Sequence, residues 1–240
     1  MKRVVQAKAM IDGSGANVLD IRCGLLNWTK HDRDSDVGPF KLGYFFMLHL
    51  LGSIYLDGLY ETADWWTTYP GSDGGTNVAM NEFFDIAAKL FRDKFKPGLL
   101  VRHSPAVDSG ETRAAGGSVS FINQVNTVCL KDDTATIEQI RGKTLVLIDD
   151  FITEGYSSEW ARNLLLKAGA ANVITIAIGK YGSNFYCESP RPGLNWDPFV
   201  PRKLGAADFL CLTAHGTLNN NALSCFRDSF SKTRQTIIQS

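Results

Sequence analysis

The sequence lacks an excess of either charge: 25 Lys and Arg stand against 25 Asp and Glu in 240 residues. A chain without cationic surplus is a poor candidate for tight, sequence-blind nucleic-acid binding. Cysteine is scarce and badly spaced for metal. The five (Cys23, Cys129, Cys187, Cys211 and Cys225) are odd in number and include no C-x-x-C pair, which argues against a zinc site and against a disulfide scaffold. Reduced, mostly buried thiols are expected instead. No repeat or low-complexity tract occurs. The N-terminal stretch has no signal-peptide apolar region, and the most apolar run, residues 42–56 (LGYFFMLHLLGSIYL), has 15 residues and includes His49. A membrane span needs about 20 apolar residues, so this run predicts a buried helix in a cytoplasmic protein.

What is present is a globular composition, 44% hydrophobic and 21% charged, long enough to bury a core. Residues 61–182 hold 12 basic against 15 acidic groups. Any anion bound there must be held by backbone amides, a metal ion or a few placed cations. Within this segment strand-like and helix-like stretches alternate. Residues 63–69 (ADWWTTY) read as a strand entering a loop at Pro70 and Gly71. Residues 77–94 carry Val78, Phe83, Ile86, Ala87, Leu90 and Phe91 near one helical face, with Asn77 as N-cap. Residues 99–101 read as a second short strand, and residues 104–126 as a long functional or mobile loop. Residues 144–148 (TLVLI) and 173–178 (VITIAI) are the continuous apolar runs of strands buried on both faces. Between them residues 157–168 form a helix ended by Gly169. The order predicts an α/β fold with a mostly parallel sheet and right-handed crossovers.

Chemistry concentrates in residues 145–162, LVLIDDFITEGYSSEWAR. An apolar strand delivers Asp149 and Asp150 at its C-terminal end, where open α/β sheets bind ligands. A loop of seven residues with Thr153, Gly155, Ser157 and Ser158 then opens onto a helix N-terminus, whose N–H groups suit an anion. Gly155 permits close backbone approach, and the hydroxyls can donate to phosphate oxygens. The carboxylates suit sugar hydroxyls or hydrated Mg²⁺.

The stretch VLIDDFITEGYS resembles the phosphoribosyl-pyrophosphate (PRPP) signature of the type I phosphoribosyltransferases. The likeness in layout extends from about residue 63 to residue 181, and the competence-protein-F-like group is nearest, although that group's N-terminal zinc-binding cysteines are absent. The resemblance implies a core at residues 61–182, with residues 1–60 and 183–240 as hood or accessory regions. It implies that Asp149 and Asp150 contact the ribose hydroxyls, directly or through Mg²⁺, and that Thr153, Glu154, Gly155, Tyr156 and Ser157 form the 5′-phosphate loop. Gly71, Ser72, Asp73 and Gly74 would hold pyrophosphate, and residues 104–126 would be a mobile loop whose Arg113 covers the leaving group. The implied reaction is Mg²⁺-dependent transfer from PRPP to a nitrogenous base or amine, in a protein that forms a homodimer or takes a protein partner. Two residues depart from the pattern. Glu154 stands where Thr, Ala or Ser is usual, and Tyr156 replaces a small residue. A carboxylate repels a phosphate by about 1–4 kcal/mol at 4 Å, depending on effective dielectric. Glu154 therefore points outward, or the ligand lacks a 5′-phosphate, or activity is lost. Two other readings stand beside transfer: a non-catalytic PRPP or nucleotide sensor, and an N-glycosidic hydrolase in the same pocket.

Elsewhere the plainer readings lead. Gly13, Ser14 and Gly15 form a turn, as do Asn219, Asn220 and Asn221. His31 with Asp32, Asp34 and Asp36 is a solvated loop, and His49 is a core histidine. Trp65 and Trp66 pack in the core or stack on a base. Arg102, His103 and Arg113 are surface cations or phosphate ligands with equal weight.

Overall fold

β6 (Thr144–Ile152) is the spine of the molecule. In this computed structural model it lies between β3 (Trp65–Thr68) and β7 (Asn172–Lys180), parallel to both, in the order β3-β6-β7. The described residues are 36–37, 40–41, 51, 54–55, 58–72, 74, 81, 84–85, 94–106, 112, 115–180 and 184–215. The expectations for Arg113, Asp73, His49, Asn77 and most of the 77–94 helix, the two terminal turns and the His31 to Asp34 run lie outside them.

Strand alternation explains why β6 is apolar without interruption. Leu145 and Leu147 are fully buried in a cluster with Trp160, Leu164 and Leu165. Val146 and Ile148 are fully buried from the opposite face. On β3, Trp66 has no exposed surface and meets Phe84 edge-on at 6.5 Å, with Phe84 tilted on Phe95 at 5.4 Å. Trp66 is thus a core residue, and the half-buried Trp65 packs against the other cluster with Lys96 over its ring at 4.7 Å. Each fully buried aliphatic side chain contributes about 1.5–3 kcal/mol. Of the expected 77–94 helix, Asn81, Phe84 and Asp85 are described and helical.

One helix covers the sheet's odd-numbered face. α4 (Tyr156–Lys167) begins after Gly155, which sits in the left-handed region at φ 85°, one residue earlier than the sequence suggests. Trp160, Ala161, Leu164 and Leu165 face inward. At its end Gly169 is left-handed (φ 100°) and the Ala170 N–H reaches back to the Leu165 carbonyl at 3.0 Å, closing the last turn as expected of a glycine stop. Further short helices are α1 (Leu59–Thr62), α2 (Phe121–Val125), α3 (Thr134–Ile140) and a 3-10 turn at Ala206–Asp208.

Three sequence expectations need correction. β6 does not end at Ile148 but runs four residues further, because β7 continues beside it: Phe151 pairs with Gly179 and Ile152 with Lys180, and Ile152 is buried against Ala177 and Phe185. The strand at residues 99–101 is β4 (Leu100–Arg102), and it pairs antiparallel with β5 (Val128–Leu130) rather than joining the parallel sheet. The long loop of residues 104–126 ends in α2, whose Phe121 and Val125 enter the core. Two antiparallel pairs complete the fold. β1 (Asp36–Val37) pairs with β2 (Phe40–Lys41). β8 (Asn184–Pro190) pairs with β9 (Phe209–His215) and lies on α4, where the Asn163 side-chain amide donates to the Glu188 carbonyl at 2.7 Å. Among the described residues no helix is long and apolar enough to cross a membrane. No disulfide joins the described cysteines: Cys129 is buried, Cys187 half-buried and Cys211 exposed, so the expectation of buried thiols fails for Cys211.

Candidate functional site

β3 ends at Thr68 while its parallel neighbour β6 continues to Ile152. The chain leaving β3 therefore turns away beside the last residues of β6, and Asp149 stands there. It is half-buried, opposite Ala177 on the β7 side. Asp150 is the next residue of the same strand, so the acidic pair belongs to β6 and not to the loop beyond it.

Tyr69, Pro70, Gly71, Ser72 and Gly74 form the facing wall. The Gly74 N–H donates to the Gly71 carbonyl at 3.3 Å, and Gly74 is left-handed at φ 86°. The loop is tied down from the far side. Arg102 Nε donates to the Gly71 carbonyl at 2.6 Å, and the Ala106 N–H donates to the Ser72 carbonyl at 3.0 Å. Arg102 is buried, which overturns its reading as a surface cation. Its Nη1 donates to Thr127 Oγ1 at 2.6 Å and its Nη2 to Gln124 Oε1 at 3.2 Å. Tyr69 donates its hydroxyl to the same Gln124 oxygen at 3.1 Å, and its ring lies 5.7 Å from the guanidinium carbon. Burial pushes the Tyr69 hydroxyl far above its ordinary pKa; the Arg102 cation opposes this and the Asp149 carboxylate adds to it. Tyr69 is thus a neutral donor at any physiological pH, held between a cation and an anion. The neighbouring His103 is shifted down, first by desolvation and then by Arg102.

The third wall is the turn from β6 into α4. Thr153, Glu154, Tyr156 and Ser157 are half-buried and Gly155 is buried. Gly155 leaves the helix start without a side-chain cap, so the first-turn amides depend on another acceptor. The Glu154 carbonyl accepts from the Tyr186 N–H at 2.9 Å. A Cβ on Gly155 would stand 2.3 Å from the Phe185 ring, so β8 as well as the left-handed backbone requires glycine here. Tyr156 stacks on Tyr186 at 5.8 Å and meets Phe121 edge-on at 6.2 Å, which gives its bulk a packing role. Desolvation, then the Glu154 carboxylate, raises its hydroxyl pKa. Ser158 is buried with no partner for its hydroxyl.

Asp149, Gly71, Ser72, Gly74 and the 153–157 turn therefore come to the C-terminal ends of two adjacent parallel strands. Arg113 and Asp73 lie outside the described residues. Tyr69, Gln124 and Thr127 were missed by sequence reading, and Arg102 was weighed there only as a surface or ligand residue. One signal was available: in the run Leu100 to Arg102, alternation gives Arg102 the same face as buried Leu100.

No protein-family model matches the sequence, and no curated protein matches it. Among solved structures the chain is similar to an allosteric regulatory enzyme of purine biosynthesis (17% identity, TM-score 0.39), over 64% of this chain and 30% of that one. It is similar to the glutamine PRPP amidotransferase of B. subtilis, complexed with ADP and GMP (17% identity, TM-score 0.37), over the same shares of the two chains. The chain thus spans about 30% of the length of each of these. A third is a glutamine mutant from an analysis of an invariant aspartic acid in HPRTs, with 10% identity and a TM-score of 0.38, over 71% of this chain and 91% of that one. The class that the chain's own strands and helices define is α/β, a parallel sheet flanked by helices.

Proposed function

We propose that the chain is a PRPP-dependent phosphoribosyltransferase of the type I kind, acting on a nitrogenous base or amine. The observation that carries the reading is the meeting of three parts at the C-terminal end of the parallel strands. Half-buried Asp149 lies on β6, the 71–74 turn follows β3, and the uncapped start of α4 closes the third side. In that reading Asp149 and Asp150 accept from the ribose hydroxyls. The amides of the 153–157 turn hold the 5′-phosphate, with the hydroxyls of Thr153 and Ser157 donating to its oxygens. The 71–74 turn receives pyrophosphate, and Arg113 covers it.

Among the described residues no group of three or more His, Cys, Asp and Glu could enclose a metal. Mg²⁺ is commonly held by one or two carboxylates together with substrate phosphates. Asp149 and Asp150 would hold it, and when bound it supplies positive charge to the leaving diphosphate. In the reaction the bond from the anomeric carbon to pyrophosphate oxygen breaks, a bond to the acceptor nitrogen forms, and the nitrogen loses a proton. The chain's part is to orient the sugar, stabilise charge on the leaving group and exclude water. The competence-protein-F-like subtype and a homodimer belong to the same reading.

A second reading, a non-catalytic sensor of PRPP or a nucleotide, is favoured by Glu154 within the phosphate turn and by the fixing of that turn through Tyr186 and Phe185. Calorimetric titration with PRPP, in Mg²⁺ and in EDTA, tests both. Saturable Mg²⁺-dependent binding that Asp149→Asn weakens about tenfold or more is expected, because a carboxylate's hydrogen bonds contribute roughly 1.5–3 kcal/mol. Pyrophosphate release with an acceptor base separates transfer from sensing. Base released from a nucleotide without pyrophosphate indicates hydrolysis. No binding at millimolar PRPP overturns the proposal.

A further inference from the structure

β8 meets the β6–α4 turn along the edge it does not share with β9. In an antiparallel pair, alternate residues direct both backbone groups either to the partner strand or away from it. Tyr186 and Glu188, opposite Thr213 and Cys211, are of the second kind. The Tyr186 N–H donates to the Glu154 carbonyl at 2.9 Å, and the Glu188 carbonyl accepts from the Asn163 side-chain amide at 2.7 Å. One strand edge thus holds both the turn before α4 and the middle of α4 itself. The side chains repeat this hold. Phe185, 2% exposed, packs with Ile152 at the end of β6 and Ala177 on β7, and its ring occupies the place of a Cβ on Gly155. The Tyr186 ring stacks on Tyr156 at 5.8 Å, with the planes 21° apart. Glu154, Gly155 and Tyr156 are therefore each met by β8, through a backbone bond, a ring contact and a ring stack in turn. A turn centred on an uncapped glycine needs this, because glycine loses more conformational freedom on folding than any other residue. In the first turn of the same helix Ser158, 1% exposed, has no hydrogen-bond partner for its hydroxyl among the described residues. A buried polar atom of that kind marks a place that a ligand or a water completes.

We infer that Phe185 and Tyr186 are positioning residues for a phosphate-bearing ligand at the 153–157 turn. They act through the turn: β8 sets its shape before the ligand arrives, so the ligand does not meet the cost of ordering it. This inference rests on the phosphoribosyltransferase reading for the phosphate at that turn, and its test separates the two.

The experiment titrates the full chain with ribose 5-phosphate and with PRPP, both in Mg²⁺. It compares the unaltered protein with Phe185→Ala, Phe185→Leu, Tyr186→Ala and Ile140→Ala. The last is the control. Ile140 is fully buried at the end of α3, before the other end of β6, so its loss lowers stability without touching the turn. Thermal melts establish that each variant is folded at the temperature of titration. Phe185→Ala is expected to lose about tenfold or more in affinity for both ligands, because the turn loses its supporting ring. Phe185→Leu refills part of the space and should recover part of the loss. Tyr186→Ala keeps the backbone bond and removes the stack, so a loss of about threefold or more is expected, and this variant carries the test if Phe185→Ala does not fold. Ile140→Ala should bind within about twofold of the unaltered protein, since a folded population binds alike whatever its margin of stability. Ribose 5-phosphate affinity within about twofold of the unaltered protein in folded Phe185→Ala, or in Tyr186→Ala should Phe185→Ala not fold, overturns the inference and leaves the enzyme reading intact. So does an equal loss in Ile140→Ala. If the unaltered protein binds ribose 5-phosphate but not PRPP, and the Phe185 and Tyr186 variants weaken it, the inference stands and the enzyme reading falls. Binding of neither ligand overturns both.

Discussion

Gly155 shows how one residue answers to two demands. Its φ of 85° is a conformation that costs an L-amino acid about 1–2 kcal/mol, and its missing side chain is where the Phe185 ring lies. Placing a methyl group against that ring adds an overpacking cost of about 1–3 kcal/mol. Gly155→Ala should therefore destabilise the protein by roughly 2–5 kcal/mol in urea denaturation, the sum of these two effects. Phe185→Ala removes a ring that is 2% exposed and should cost about 3–5 kcal/mol alone. The double variant separates the causes. Once the ring is gone only the backbone strain remains, so the two changes together should cost less than their sum by roughly 1–3 kcal/mol. Simple additivity would show that Phe185 does not set the requirement for glycine. The sequence motif marks Gly155 for a ligand; the structure gives it a neighbour in the chain that accounts for it without one.

At the scale of the element, α3 shows a cap whose charge matters. Asp133 Oδ1 accepts from the Thr136 N–H at 2.7 Å, and its other oxygen pairs with Lys131 at 2.8 Å. Lys131 and the Thr136 contacts draw its pKa down from 3.8 to about 2. The folded pKa lies below the unfolded one, so the stabilisation is complete above about pH 4 and is lost as pH falls through 2. Asp133→Ala should lower the urea midpoint at pH 6, and the gap from the unaltered protein should narrow steadily between pH 4 and pH 2.5. A gap that stays constant over that range would mean that the charge plays no part. Elements differ in how well the sequence declares them. β3, β6 and β7 were legible because each is a run of apolar or bulky residues buried on both faces, a pattern that belongs to one strand alone. α4 was legible through its glycines at 155 and 169. β4 was read as a short strand one residue early, but its pairing was not legible, because the antiparallel ladder with the three residues of β5 joins positions more than 25 residues apart. β8 and β9 are separated by 18 residues with Pro, Gly and Trp, and their stability comes from α4 beneath them, which no local pattern records. The site follows the same rule. Asp149, Gly71 and Gly155 were visible as local motifs, whereas Tyr69, Arg102, Gln124 and Thr127 form one cluster only after β3, β4 and α2 meet.

At the scale of the whole molecule, the buried cluster around α4 draws on both sides of residue 182. Trp160 donates its indole N–H to the Val128 carbonyl at 2.8 Å, stacks on Trp196 at 5.2 Å and meets Phe209 edge-on at 6.0 Å. Trp196 and Phe209 are 6% and 4% exposed, and the Leu130 N–H donates to the Pro198 carbonyl at 2.8 Å. Asn126 also exchanges hydrogen bonds with the backbone of Leu204. Removing residues 183–240 takes away Phe185, Trp196 and Phe209, each contributing about 1.5–3 kcal/mol by burial alone. It also leaves the Trp160 ring facing water. A domain's whole stability is about 5–15 kcal/mol, so the loss is of the same order. A chain ending at residue 182 should therefore show no cooperative thermal transition by circular dichroism at a temperature where the full chain is folded. Trp196→Ala and Phe209→Ala in the full chain should each lower the melting temperature, and Trp196→Ala should also shift tryptophan fluorescence as Trp160 loses its stacked partner. If the shortened chain melted cooperatively near the temperature of the full one, residues 61–182 would fold as a unit by themselves, and the 183–215 region would be an addition whose contacts are peripheral. The expected result makes that region part of the wall that fixes the β6–α4 turn, so changes in it would alter ligand affinity without any residue there touching the ligand.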